Sequence, residues 1–198
     1  MIAIVDYGAG NLVSVRKAIE WLGYECVITS DPRQVRKAEK IILPGVGHFA
    51  STARLERSGL RDEIKDSIAR EIPFLGICVG MQWMFQGSAE STETQGLGLL
   101  PGKCERFPAT VKSPHVGWNS LAVNPSSGLF RGIPSSPYVY FTHSFRAPVG
   151  ESTVACSEYG GAFSAAVERG RAFGVQFHPE KSGPTGLKLL SNFCDLKC

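Results

Sequence analysis

The segment Pro73-Phe74-Leu75-Gly76-Ile77-Cys78-Val79-Gly80-Met81-Gln82 changes its periodicity at a cysteine held between two glycines. Ile72 to Ile77 has the length and apolarity of a strand buried on both faces, and Val79, Met81, Trp83, Met84 and Phe85 can share the buried side of a helix that follows. Cys78 falls at the turn. A Gly-x-Cys-x-Gly turn between strand and helix fits a nucleophile elbow, in which flanking glycines allow a sharp bend and the central side chain projects from the sheet edge. A helix N-terminus at that point favours negative charge on the sulfur. The other reading is a buried small hydrophobe, since free cysteines are among the most buried residue types. The turn pattern taken alone leaves both open.

Upstream of this segment, strand and helix patterns alternate. Ile2 to Asp6 predicts a buried strand, Asn11 to Leu22 a helix with Leu12, Val15, Ala18, Ile19 and Leu22 on one face, Tyr24 to Thr29 a second strand, and Lys40 to Leu43 a third. Asp31-Pro32 starts a short helix, and Gly59-Leu60 opens one that runs to Arg70. This alternation indicates an α/β fold with a mostly parallel central sheet and flanking helices. Ligands then gather beyond the carboxyl ends of the strands, where both Cys78 and the loop Pro44-Gly45-Val46-Gly47 emerge. That loop can offer backbone N–H groups to an oxyanion, or it can be a plain surface turn. Gly8-Ala9-Gly10 lacks the third glycine of a dinucleotide fingerprint, which would fall at Val13, so a tight turn with Asn11 or Ser14 at the helix start is preferred.

Downstream, Gly87 to Gly96 is polar and bounded by glycines, and reads as a loop. Its Glu90 and Glu93 could meet a substrate amine or simply be solvated. Short strands follow at Lys103 to Phe107, Trp118 to Val123, Tyr138 to Phe141, Thr153 to Ser157, Ala162 to Glu168 and Arg171 to Phe177. They predict an antiparallel extension of the sheet in the C-terminal half. Gly186 to Cys194 closes the chain as a helix.

Composition narrows the class. The chain has 198 residues with 43% hydrophobic and 20% charged content, enough for one soluble domain spanning 1–198 with a full core. A formal charge of +3, with Lys and Arg scattered, offers no case for nucleic acid. No apolar stretch approaches the roughly 20 residues of a membrane span. The six cysteines form neither a Cys-x-x-Cys pair nor a zinc spacing, and the four histidines are dispersed, so neither a metal nor a cofactor is expected. A chain that opens on a strand without a charged-then-apolar leader predicts a cytoplasmic protein with reduced thiols, in which Cys194 and Cys198 are incidental.

The second half of a site lies a hundred positions on. Ala172 to Phe177 is another apolar strand, and it delivers His178-Pro179-Glu180. A histidine leaving a strand, with a carboxylate two positions on, supplies the proton carrier and the orienting acid that a cysteine nucleophile needs. Singly, His178 reads as a core histidine and Glu180 as a surface acid. Joined to Cys78 on one sheet, they indicate a Cys-His-Glu triad.

Gly76 to Gln82 together with His178-Pro179-Glu180 resembles the class I, triad glutamine amidotransferase family. The likeness is closer to the glutaminase subunits of imidazole glycerol phosphate synthase. It rests on Asp6-Tyr7-Gly8-Ala9-Gly10-Asn11-Leu12, Leu43 to Gly47, Pro114-His115-Val116-Gly117-Trp118-Asn119, Phe141-Thr142-His143-Ser144-Phe145 and Gln176 to Ser182, and so runs from the first strand to the last. Val79 stands where leucine is commoner in the family and Phe145 where tyrosine is, so no hydroxyl contact is assigned at 145. The resemblance implies attack of the Cys78 thiolate on the side-chain carboxamide of L-glutamine. The oxyanion is held by backbone N–H groups of Val79 and of Gly45, Val46 and Gly47. Gln82 and the backbone of His143, Ser144 and Phe145 hold the amino-acid end. It also implies a heterodimer with a cyclase (β/α)8-barrel subunit that receives ammonia through a channel and switches the glutaminase on. Asn11, Trp118, Tyr138, Tyr140 and Lys181 are the candidates for the docking face, with ordinary core aromatics and surface polar groups as the alternative. Other readings are a class I glutaminase serving another acceptor, such as pyridoxal phosphate synthesis, a cysteine peptidase, or a non-catalytic module on the same scaffold.

Overall fold

The protein is described by a computed structural model over residues 1–197; Cys198 lies outside the described residues. Strand β1 (Ile2–Val5) leads into helix α1 (Leu12–Trp21), which turns Val15, Ala18 and Ile19 to the core. Strand β2 (Cys26–Thr29) precedes helix α2 (Pro32–Arg36), whose start is capped by the Asp31 carboxylate accepting the Arg33 N–H. Next come β3 (Lys40–Gly45), a 3-10 turn at Phe49–Thr52 that continues into α3 (Ala53–Arg57), and α4 (Leu60–Ala69). The elbow itself is β4 (Phe74–Cys78) followed by α5 (Val79–Trp83).

The second half adds β5 (Gly87–Ser88), β6 (Ser91–Gln95), β7 (Lys103–Arg106), β8 (His115–Ser120) and β9 (Ala122–Val123). Strands β10 (Tyr138–His143), β11 (Phe145–Arg146), β12 (Thr153–Glu158), β13 (Ala162–Arg169) and β14 (Ala172–Val175) follow, and helix α6 (Gly183–Cys194) ends the described fold.

Eight strands form the main sheet in the order β2-β1-β3-β4-β14-β13-β12-β9, flanked by helices. The first five run parallel and the last three continue the sheet antiparallel. The α/β expectation with an antiparallel extension is met. The chain's last strand, however, does not join the edge. β14 inserts beside β4, so strands a hundred residues apart in sequence are direct neighbours. Both are fully buried, which is why both read as continuous apolar runs. A β8–β10 pair and a four-stranded sheet, β11-β7-β5-β6, complete the described strands.

Three expectations need correction. The third strand runs on through Pro44 to Gly45 rather than stopping at Leu43, because Pro44 and Gly45 pair with Ile77 and Cys78 of β4. The segment from Gly87 to Gly96 contains the β5–β6 hairpin and is not a plain loop; β6 is largely exposed, so it carries no apolar alternation to betray it. The strand expected at Trp118 to Val123 begins at His115 and breaks after Ser120. No helix among the described residues is long and apolar enough to cross a membrane.

Candidate active site

Cys78 stands at φ 53° and ψ −108°, one of two non-glycine residues with positive φ among those described. Such a conformation costs a residue with a Cβ of order 1–3 kcal/mol and persists only where the surroundings enforce it. The glycines beside it act differently from expectation. Neither Gly76 nor Gly80 has positive φ; each is small because another backbone passes too close. A Cβ on Gly80 would lie 2.0 Å from the Leu43 carbonyl oxygen, and one on Gly76 would lie 2.5 Å from that of Gly80. Strain is thus concentrated in the cysteine while the glycines let α5 fold back onto β3 and β4. Helix α5 has only five residues, shorter than expected, so few peptide dipoles are aligned at the sulfur.

The strands on either side of β4 bring up the rest. On β3, Gly45 is in register with Cys78; on β14, Val175 is in register with Ile77, so the chain beyond Val175 emerges beside the elbow. His178 there is 1% exposed. Its Nδ1 lies 2.9 Å from Glu180 Oε1, on a side chain with no exposed surface. Asn11 Nδ2 donates to the same oxygen at 3.1 Å, whereas Glu180 Oε2 has no partner among the described protein atoms. Asn11 occupies the N-cap position of α1 without capping it, because its side chain is drawn away to this carboxylate. The turn carrying His178 is fastened to β10. The His178 N–H donates to the Tyr140 carbonyl at 2.9 Å, and the Ser182 hydroxyl donates to the His178 carbonyl while accepting the Tyr140 N–H.

With Nδ1 held by the carboxylate, His178 Nε2 is buried with no hydrogen bond of ordinary geometry. It shares a cavity of about 250 Å³ with Cys78. Burial works to lower the His178 pKa, but the Cys78 sulfur and the Glu180 carboxylate outweigh it and push it up to about 10. The imidazole therefore keeps its proton across the neutral range. Catalytic hydrogen bonds are often long before substrate tightens them.

Around the same cavity stand Val46, Gly47, Val79, Gln82, His143, Ser144 and Phe145, joined by Glu90, Pro114 and Thr142. Its volume lies below the roughly 300–1,000 Å³ usual for drug-sized ligands, which suits a small polar molecule. Gly45 lies behind this wall, where a Cβ would meet the Tyr7 hydroxyl at 2.7 Å. The two candidate carboxylates separate. Glu90 reaches the cavity, with Oε2 accepting the Phe49 N–H at 2.7 Å, whereas Glu93 does not line it. The hairpin explains this, since Glu90 sits at the β5–β6 turn and Glu93 on the exposed β6.

Of the docking candidates, Trp118 and Tyr140 pair across β8 and β10 with their rings edge to face at 6.2 Å, and Lys181 Nζ lies 5.9 Å from the Tyr140 ring centroid. Trp118 is 55% exposed and Tyr138 63%, so neither is a core aromatic. Sequence reasoning quoted Gln176, Thr142 and Ser182 only as parts of motifs and gave them no role. Among the described residues no group of three or more His, Cys, Asp or Glu is placed to hold a metal ion.

Two further histidines share a relay. The Phe145 carbonyl can only accept, so His143 Nδ1, 2.9 Å away, carries a proton and its Nε2 must accept. His115 Nδ1, 3.1 Å from that Nε2, is then the donor, and His115 Nε2 accepts from Asn119 at 3.4 Å. Burial lowers both pKa values, His115 to about 4 and His143 to about 3. A neutral buried histidine leaves the unfolded chain to take up the proton. His143 should thus contribute fully above pH 6.5 and lose about 1.4 kcal/mol per unit as pH falls toward 3, or about 2 kcal/mol by pH 5. His178 acts in the opposite window, its contribution full below 6.5 and lost toward 10. Urea midpoints measured from pH 6.5 to 5, below the window in which His178 acts, should fall. A His143→Asn protein should show a slope shallower by one proton, and an unchanged slope would contradict the neutral relay.

The profile of a family described as "Glutamine amidotransferase class-I" matches residues 3–196. The chain is 47% identical over 198 residues to the imidazole glycerol phosphate synthase subunit HisH of Moorella thermoacetica, covering 98% of this chain and 94% of that one. To the HisH subunit of Dehalococcoides mccartyi it is 48% identical over 196 residues, covering 98% and 96%. Among solved structures it resembles a crystal structure of a glutamine amidotransferase with a TM-score of 0.78 at 20% identity, covering 98% of each chain. It also resembles a chain in the structure of PurLQS from Thermotoga maritima with a TM-score of 0.76 at 22% identity, covering 98% of this chain and 97% of that one. Those structural likenesses speak for the fold, and the sequence matches go further: the chain belongs to the class-I glutamine amidotransferases, among the HisH subunits of imidazole glycerol phosphate synthase.

Proposed function

We propose that this chain, as one amidotransferase domain, hydrolyses L-glutamine to glutamate through a thioester on Cys78 and hands the ammonia to a cyclase (β/α)8-barrel subunit. The observation that carries the reading is the convergence of Cys78 and His178, the latter bonded to Glu180, at the ends of adjacent strands on one small cavity. Cys78 attacks the carboxamide carbon. Main-chain N–H groups of Val79 and of the segment from Gly45 to Gly47 receive the oxyanion, with glycine at 45 and 47 permitting the N–H to be aimed. His178 protonates the departing ammonia and then takes a proton from the water that opens the thioester. Glu180 orients the imidazole.

The amino-acid end has a defined place. Both Gln82 Nε2 hydrogens are used inside the protein, on the Phe145 carbonyl and on Gln176 Oε1, each at 3.0 Å. Gln82 can therefore only accept from substrate, which suits the α-ammonium group, and the second Glu90 oxygen supplies the opposite charge. The backbone of Ser144 and Phe145 faces the α-carboxylate. Asn11, Trp118, Tyr138, Tyr140 and Lys181 form the docking face for the barrel, and Asn11 also donates to Glu180.

Glutamine turnover should be low for the chain alone and rise when a cyclase barrel and its nucleotide ligand are added. Absence of glutamate production in both conditions would overturn the glutaminase reading, and equal rates in both would remove activation by the partner. Glu180→Ala should lower turnover in the complex by roughly two orders of magnitude less than loss of the sulfur does, because orientation assists without reacting. Equal losses would make the carboxylate a participant in the chemistry.

A further inference from the structure

Gln176 follows β14 directly and is fully buried, yet it is neither core filler nor part of the triad. Its Nε2 lies 3.5 Å from Cys78 Sγ, within range of a hydrogen bond to sulfur. Which end of a carboxamide faces the sulfur is decided by its other partners. The Phe145 carbonyl can only accept, and it takes both the His143 Nδ1 proton and one Gln82 Nε2 proton. That fixes the Gln82 amide. Its second proton then requires an oxygen, which is Gln176 Oε1 at 3.0 Å. The nitrogen of Gln176 is left pointing at Cys78. A main-chain carbonyl thus sets a chain of donors that ends on the reacting atom.

We propose that Gln176 is a catalytic residue of the glutaminase reaction, its carboxamide N–H donating to the Cys78 sulfur and stabilising the thiolate that attacks glutamine. The inference rests on the glutaminase reading for its consequence, but the contact can be tested without glutamine. With α5 so short, this donor adds to the His178 imidazolium in holding charge on the sulfur. The other titratable groups acting on it, Tyr7 and Cys104, are pushed up by burial and stay protonated. The Thr142 carbonyl, 4.0 Å from the sulfur, is an acceptor and offers the anion nothing.

The test uses the full chain and iodoacetamide as the probe, with the Cys78 peptide followed by mass spectrometry from pH 6 to 10. Gln176→Met keeps the length of the side chain and a weak thioether acceptor for Gln82, adds no charge, and removes the donor to sulfur. Gln176→Leu removes both. Each should label about tenfold more slowly than the wild type at pH 7 and converge with it near pH 10, since a hydrogen bond to a charged group is worth about that factor. A folded Gln176→Met protein with the wild-type profile overturns the proposal. Should neither variant fold, the wild-type protein labelled with 15N-glutamine decides. The Gln176 side-chain amide signal, assigned against the Gln82 signal, should shift when Cys78 is alkylated. No shift overturns the proposal. If the profiles differ as expected while no condition yields glutamate, the sulfur contact stands and the glutaminase reading fails.

Discussion

Cys78→Ala should abolish glutamine hydrolysis in the assembled enzyme, a loss of about 10⁵-fold or more, because Cys78 is the one thiol that lines the cavity among the described residues. A variant that retained even a hundredth of the wild-type rate would remove Cys78 from the chemistry. Geometry adds a second expectation. Alanine at 78 must adopt the same φ of 53° as the cysteine, whereas glycine adopts it freely. Relief of about 1–3 kcal/mol of strain should outweigh the 0.4–1 kcal/mol that glycine ordinarily loses through the unfolded chain. Cys78→Gly should therefore be equally inactive but at least as stable as Cys78→Ala, the reverse of the usual ranking. Urea midpoints for the two proteins settle it, and a Cys78→Gly midpoint clearly below that of Cys78→Ala would mean that the elbow is not strained. Function and stability are opposed at this residue, which is what a side chain held out from a sheet edge requires.

Gly80→Ala should be strongly destabilising although the change is conservative. The added Cβ would lie 2.0 Å from the Leu43 carbonyl oxygen, and backbone on both sides cannot swing away as a side chain would. Helix α5 would have to lift from β3, carrying the Val79 N–H and the cysteine with it. The cost should be at least about 3 kcal/mol, a large share of the 5–15 kcal/mol that holds a domain folded. Gly47→Ala provides the contrast. Gly47 has a φ of +86° but open space around it, so alanine there should cost only about 1–2 kcal/mol of backbone strain. A Gly80→Ala protein with a wild-type urea midpoint and wild-type glutaminase activity would show that the elbow tolerates separation of α5 from β3.

Much of this protein is legible without coordinates. Strands buried on both faces announce themselves as apolar runs, so β1, β3, β4 and β14 could be read directly, and with them the alternation that makes an α/β sheet. The β5–β6 hairpin was not legible, because β5 is only two residues long, a glycine and a serine, and the five-residue β6 paired with it is largely exposed, so neither imprints an apolar alternation on the sequence. Glu90 and Glu93 looked alike for that reason; the hairpin turn sends one to the cavity and leaves the other outside.

The site divides along the same line. The residue types and local order of Cys78, His178 and Glu180 are written in two short segments, since the turn that presents a nucleophile and the two-residue step from imidazole to carboxylate are local matters. Asn11, Gln82, His115, His143 and Gln176 each have a polar partner 28 to 169 positions away, and β14 inserting beside β4 is what brings Gln176 to the sulfur. Local sequence determines conformation because steric and hydrogen-bonding preferences act within a few residues. Which donor meets which acceptor in a buried cluster is settled only when the strands pair, since burial is what compels every amide and imidazole to find a partner.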